Sequence, residues 1–176
     1  CKVSQKVMSG ANSISRKTIN DQNETFYCQL DDDYSIMKKI KEIYYQYRDD
    51  SIIMSPMKKG YLGTQKINEI IHSDLLNQEY AKNKNTDEMQ MCDFVPNERV
   101  MISQNIYSSE SSNRHIFNGE FGNFKAMATD NENAEIDFPD ECKKSMLVER
   151  NKFGVAHACT VHKMQAGVHG LARVRC

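Results

Sequence analysis

Ser51-Ile-Ile-Met-Ser-Pro-Met-Lys-Lys-Gly-Tyr-Leu-Gly-Thr64 is the stretch on which the fold turns. The run from Ser51 to Ser55 is short and apolar and reads as a buried strand. Pro56 ends it, because proline removes a backbone donor and pushes the preceding residue toward extended geometry. Residues 57–63 form a loop with two glycines and two lysines. Thr64 suits the N-cap of a helix with Ile67, Ile70, Ile71 and Leu75 as its apolar face. A strand, a glycine-bearing loop and a helix in that order belong to α/β architecture.

Upstream, Ile36, Ile40, Ile43, Tyr44 and Tyr47 recur at helical spacing, with Lys38, Lys39 and Lys41 on the solvated side. Asp31-Asp-Asp33 is read as a helix start with Asp33 as N-cap, where a carboxylate meets the positive end of the dipole. The polar stretch 1–30 predicts a short helix, a loop and a strand near Phe26-Tyr-Cys28. Downstream, Lys82-Asn-Lys-Asn-Thr-Asp87 is turn-rich and marks a boundary. Beyond it the pattern changes to short strands: Arg99–Asn105, a hairpin about Asn118-Gly119, Ala134–Phe138 and Ser145–Val148. They predict a small β barrel or meander. Helical pattern returns after Val155-Ala-His-Ala-Cys-Thr-Val161. The order α/β, all-β, α/β describes a β module inserted into an α/β domain.

With 176 residues the chain has room for one domain carrying a small insertion. Its 23 basic and 24 acidic residues leave a net charge of −1, so nucleic-acid binding would need a local basic surface. No apolar run reaches the ~18 residues of a membrane-spanning helix. None of the six cysteines forms a C-x-x-C pair, and the expectation is reduced thiols in the cytoplasm. His157, Cys159 and His162 are metal-capable, but alternation along a strand sets His162 opposite the other two, and no metal site is expected. Phe117, Phe121 and Phe124 are read first as core, with base stacking as the alternative.

Three segments together resemble the second motor domain of a superfamily 1 DNA helicase of the RecD-like or UvrD-like kind. Ser55-Pro-Met-Lys-Lys-Gly-Tyr-Leu-Gly-Thr64 with Asn68 resembles the motor segment S-P-[MTR]-[RK]-x-G-x-x-G-[TV]-x-x-[LI]-N. Asn97-Glu-Arg-Val-Met-Ile-Ser-Gln-Asn-Ile-Tyr107 and Ile116-Phe-Asn-Gly-Glu-Phe-Gly122 resemble the signature G-D-[RK]-V-M-Q-x-x-N-x-Y … [VI]-[FY]-N-G-[DE]-x-G. Ala156-His-Ala-Cys-Thr-Val-His-Lys-Met-Gln165 resembles motif V, A-Y-A-x-T-[VI]-H-K-[SAM]-Q-G. The resemblance implies an incomplete RecA-like parallel-sheet domain over 1–90 and 150–176. A small antiparallel Src-homology-3-like β barrel would be inserted over 93–148.

Such motors walk on single-stranded DNA through backbone contacts that ignore sequence. A loop after a parallel strand, with exposed amides and lysines, suits phosphate oxygens. By resemblance, Lys58, Lys59, Gly60, Thr64, Thr160, His162 and Lys163 would contact the strand, while Gln165 and Gly167 would relay the ATP state. ATP and Mg²⁺ would belong to an intact parent whose first RecA-like domain lies upstream, with helicase–nuclease subunits as further partners.

Departures accompany the resemblance. Ala166 stands where the family has glycine, Ala166–Cys176 continues no family motif, and motif VI is missing. The first residue is Cys1, and no G-x-x-x-x-G-K-[ST] occurs, while Asp140-Glu141 resembles a Walker B pair only superficially. The expectation is a fragment of a longer chain, inactive toward ATP by itself. The rival expectations are a non-catalytic module binding nucleic acid or protein, and a broken helicase gene.

Overall fold

The computed structural model describes residues 14–20, 23–28, 30–48, 51–83, 93–107, 115–139 and 145–164, with the backbone alone for the first two stretches. It is a mixed α/β molecule. β1 (Ile14–Asn20) and β2 (Asn23–Cys28) form an antiparallel hairpin. The strand at Phe26–Cys28 was expected and its partner was not; residues 1–13, where a short helix was expected to begin, lie outside the described residues.

Helix α1 (Asp33–Gln46) starts one residue earlier than the sequence predicts, because Asp32 is the cap. Its Oδ1 accepts from the Ser35 amide at 2.8 Å and its Oδ2 from the Ser35 hydroxyl at 2.6 Å. Those bonds also hold the Asp32 carboxyl below its ordinary range. The buried face is Met37 and Tyr44 with Ile40 beside them, whereas Ile43 and Tyr47 are exposed. The expected stripe is therefore rotated by about one residue.

Strand β3 (Ile53–Ser55) is followed by helix α2 (Thr64–Asn83). Ile67, Ile71 and Leu75 are buried on α2 as expected, with Ile70 partly so. β3 is less enclosed than its apolar sequence suggests: Met54 is 57% exposed. Only one face of this strand is covered, so its alternate side chain meets solvent.

β4 (Arg99–Ile102), β5 (Phe121–Met127), β6 (Asn133–Asp137), β7 (Met146–Glu149) and β8 (Phe153–Val155) form an antiparallel sheet in the order β7-β6-β5-β4-β8. Among the described residues β7 and β8 do not pair, so the sheet is open rather than a closed barrel. Phe94, Val100, Ile102, Ile116, Phe124, Ile136, Val148 and Phe153 are its core. Gly122 belongs to this packing, since a Cβ there would lie 2.5 Å from the Ile136 side chain.

Asn118-Gly119 does not join two paired strands, contrary to the hairpin expectation. Ile106 pairs with Ile116 in an isolated bridge, and Met101 pairs with Phe121 in the sheet, so both flanks of the dipeptide pair with the same segment. Gly119, at φ 94°, donates to the Ile102 carbonyl, and the Ile102 amide donates to Glu120. Two residues therefore face one, which is a β-bulge. The dipeptide still forms a turn, with the Glu120 amide donating to the Phe117 carbonyl at 3.1 Å, and complete burial of Ile116 fixes the register on its far side.

β9 (Ala158–Thr160) leaves the antiparallel sheet and pairs in parallel with β3. The register is Ile53 with Ala158, Met54 with Cys159 and Ser55 with Thr160. A helical turn over 161–164 follows. No helix is long and apolar enough to cross a membrane among the described residues.

Candidate nucleic-acid interface

Ser55 and Thr160 are the last residues of two parallel neighbours. The chain segments that leave them, 56–63 and 161–164, therefore emerge at the same end of the pair. Parallel strands make this unavoidable, and the C-terminal edge of such strands is where α/β folds present ligand-binding loops.

The first loop is closed by its own backbone. The Ser55 hydroxyl donates to the Leu62 carbonyl at 2.8 Å and accepts from the Met57 amide at 3.2 Å. Thr64 N–H bonds Met57 O at 3.0 Å, Gln65 N–H bonds Lys58 O at 3.2 Å, and Gly63 N–H bonds Gly60 O at 3.0 Å. Gly60 sits at φ 94°, where a side chain would strain the backbone. At Gly63 a Cβ would lie 2.5 Å from the Lys59 carbonyl carbon and oxygen. The loop is thus a fixed scaffold, and it projects Lys58 and Lys59 into solvent. Neither lysine ion-pairs with another described residue. A shallow concavity of about 380 Å³ lies beside it, lined by Lys59, Gly60, Tyr61, Gln65, Lys66 and Glu69.

Thr160 is half-buried, and its hydroxyl oxygen accepts from the Lys163 amide at 3.4 Å. His162 and Lys163 are exposed on that turn. Lys58, Lys59, Gly60, Thr64, Thr160, His162 and Lys163 therefore lie on the two segments leaving one strand end. Thr64 is buried at the start of α2 rather than offered to a ligand. Gln165 and Gly167 lie outside the described residues, as does Asp140-Glu141.

Asn68 holds this geometry. Its side-chain amide donates to the Ala158 carbonyl at 3.0 Å and accepts from the Ala158 amide at 2.7 Å. One side chain on α2 thus satisfies both backbone groups of a β9 residue, as a neighbouring strand would. Thr160 lies two residues further on.

A buried polar network joins the two sheets. Glu98 and His157 are fully buried. Glu98 Oε1 accepts from His72 Nδ1 at 2.7 Å and from His157 Nε2 at 2.8 Å, and Oε2 accepts from the Val95 amide at 3.0 Å. The Tyr44 hydroxyl meets His157 Nδ1 at 2.8 Å. Burial pushes the Glu98 carboxyl up, but the bonds from His157, His72 and Val95 outweigh it and hold it at about 2. The bond to Glu98 raises His72 above its ordinary range, against the opposing effect of burial. Burial raises the Tyr44 hydroxyl.

Among the described residues, His72, Glu98 and His157 are also the group best placed to hold a metal ion. Their separations of 2.7 and 2.8 Å are hydrogen-bond lengths. Ligands at about 2.0–2.1 Å from a tetrahedral ion stand roughly 3.3 Å apart. All three imidazole and carboxylate atoms are already paired, so the geometry fits a hydrogen-bonded carboxylate. The combination His157, Cys159 and His162 is not assembled. His157 turns into the network, Cys159 packs with Phe121 and Ala156, and His162 is exposed. Burial pushes the Cys159 thiol up, away from thiolate chemistry.

Phe121 and Phe124 are core residues, which leaves Phe117, 53% exposed, as the one free ring face of that trio. A larger cleft of about 640 Å³ runs past Arg48, Lys82, Asn97 and Arg99, and contains none of the predicted contact residues. The sequence reading missed Glu98, His72 and Tyr44. Glu98 inside the apolar-flanked Asn97–Met101 run was the available signal, because a carboxylate there needs buried partners.

No family model matches the chain, and no curated protein is significantly similar to it.

Proposed function

We propose that this chain is part of the second motor domain of a RecD-like superfamily 1 DNA helicase, with an incomplete RecA-like layer and an inserted Src-homology-3-like module. In this reading it supplies half of a single-stranded DNA track and one wall of an ATP cleft in an intact parent. The supporting observation is the parallel register of Ser55 and Thr160, which brings the Lys58-Lys59 loop and the Thr160–Lys163 turn to one strand end. Two cationic segments on a shared, rigid edge suit a sugar–phosphate chain, and glycine keeps the first loop open to close approach. Lys58 and Lys59 supply charge, the hydroxyl of Thr160 and the imidazole of His162 supply hydrogen bonds, and Asn68 positions the strand that carries them. ATP and Mg²⁺ are assigned to the parent, since the sequence holds no phosphate-cradling G-K-[ST] loop.

Fluorescence anisotropy with labelled oligothymidylate tests the reading. Binding is expected to weaken steeply with salt, and Lys58→Ala/Lys59→Ala is expected to lower both affinity and salt slope, the slope by about 0.7 per lost phosphate contact. In the intact parent, Thr160→Ala or His162→Ala should cut unwinding more than stability. Unchanged unwinding together with unchanged single-strand affinity would contradict the assignment.

A further inference from the structure

The isolated antiparallel bridge between Ile106 and Ile116 has two faces. Ile116 is fully buried and Ile106 packs against the same core. Side chains alternate along strands, so Asn105, Tyr107, His115 and Phe117 share the opposite face. Tyr107 is 69% exposed and Phe117 53%. Tyr107 and His115 are cross-strand neighbours, with ring centroids 5.7 Å apart in a T-shaped arrangement. Two exposed aromatic rings and an imidazole on one short ribbon stand outside the described apolar core, which lies on the other side.

The rings are also held in place. Asn105 donates to the Tyr107 hydroxyl at 3.1 Å and accepts from the Asn118 amide at 2.8 Å. The Phe117 amide donates to Glu120 at 2.8 Å. A preset ring costs less ordering entropy on binding than a mobile one. The ribbon is linked to the cationic strand end through Phe121, four residues beyond Phe117, which packs in one small cluster with Cys159 and Met164.

We infer that the outward face of this ribbon, Tyr107 and Phe117 with His115 between them, is a stacking platform for the bases of a single nucleic-acid strand. The inference rests on the DNA-track reading and adds base contacts to its phosphate contacts. Tyr107 and Phe117 lie diagonally across the Ile106–Ile116 bridge, an arrangement that offers rings to successive bases of one strand. Lys58, Lys59, His162 and Lys163 would hold phosphates while the rings accept bases. Stacking is sequence-tolerant, because every base has a π face, which suits a translocating strand. The imidazole and the Asn105 amide make the face less apolar than a protein-docking patch of the same size.

Anisotropy on the full 176-residue chain tests this with two probes, oligothymidylate and an abasic oligonucleotide of equal length. Tyr107→Ala/Phe117→Ala is expected to melt like the unaltered chain, because both side chains face solvent. It should bind oligothymidylate about tenfold more weakly, and its affinity should no longer depend on whether bases are present. Unchanged affinity for oligothymidylate overturns the inference and leaves the ring face to a protein partner. Equal weakening on both probes also overturns it, since that effect would come from the backbone path. Binding that Lys58→Ala/Lys59→Ala reduces and the ring variant does not overturns the platform alone. No binding of either probe by the unaltered chain overturns the DNA-track reading itself.

Discussion

The antiparallel sheet and the parallel pair differ in how they are held. The antiparallel sheet buries an apolar layer in which Phe94 stacks on Phe124 at 5.1 Å, and the Arg150 guanidinium lies 4.3 Å from the Phe94 centroid. The parallel pair has three residues per strand and leaves Met54 in solvent. Its strands pack on α2 through Ile53 and Ala158, and polar bonds add to that packing: Asn68 to both backbone groups of Ala158, and Ser55 to Leu62. Hydrogen bonds add a directional constraint that apolar contact alone does not supply. The region bearing the candidate contacts uses both. Glu98 couples the two regions, with His72 on α2 and His157 ahead of β9 both bonded to it.

The largest expected effect lies in the antiparallel sheet. Phe124→Ala should cost about 3–5 kcal/mol, read by urea denaturation, because the ring is 1% exposed and nothing can collapse fully into its place. A loss under about 1 kcal/mol would mean the sheet is looser than its packing.

Glu98 comes next and tests whether the regions unfold together. Its folded value of about 2 lies below the ordinary 4.5. The stabilisation it brings is therefore complete above pH 4.5 and is lost as pH falls toward 2. At about 1.4 kcal/mol per unit, that loss comes to about 3–4 kcal/mol. His72, raised by its bond to Glu98, acts in the other sense: its contribution is full below 6.5 and fades as pH rises through the raised value. Stability should thus peak between the two, and Glu98→Gln should flatten both arms. A single transition by near- and far-ultraviolet circular dichroism is expected; two separated transitions would show that the network does not bind the regions into one unit.

Asn68→Ala should cost about 1–3 kcal/mol, by leaving two backbone groups of Ala158 unpartnered. It should also lower oligothymidylate affinity, because β9 carries Thr160. Stability loss with unchanged affinity would detach the clamp from the strand end. The smallest effect is expected at Met54→Ala, within about 0.5 kcal/mol, since that side chain is already in solvent. A larger cost would mean that the face is covered.

Local readings succeeded where one face or one bond decides. The α2 stripe followed from 3.6-residue periodicity, and the Pro56–Gly63 loop from proline and glycine chemistry. Cap and register were less legible. Asp31, Asp32 and Asp33 are equivalent in composition, and only the Ser35 contacts select Asp32. Asn118-Gly119 does form a turn, closed by the Glu120 amide on the Phe117 carbonyl at 3.1 Å, but the flanking residues pair with 99–106 rather than with each other, which the local signal does not contain. Among the candidate contacts, the lysines and Thr160 were readable as residue types, while Glu98's partners come from positions 26 and 59 residues away.

The amino-acid order alone determined the alternation of α/β and all-β segments, the position of the glycine loop and the absence of a phosphate-cradling motif. These depend on neighbours within a few residues, where backbone stereochemistry and hydrophobic period act. The tertiary structure decided that Ser55 and Thr160 are adjacent, that the five-stranded sheet is open among the described residues, and which aromatic rings face water. Each of these depends on which distant apolar surface is available to bury, a quantity that no local window contains.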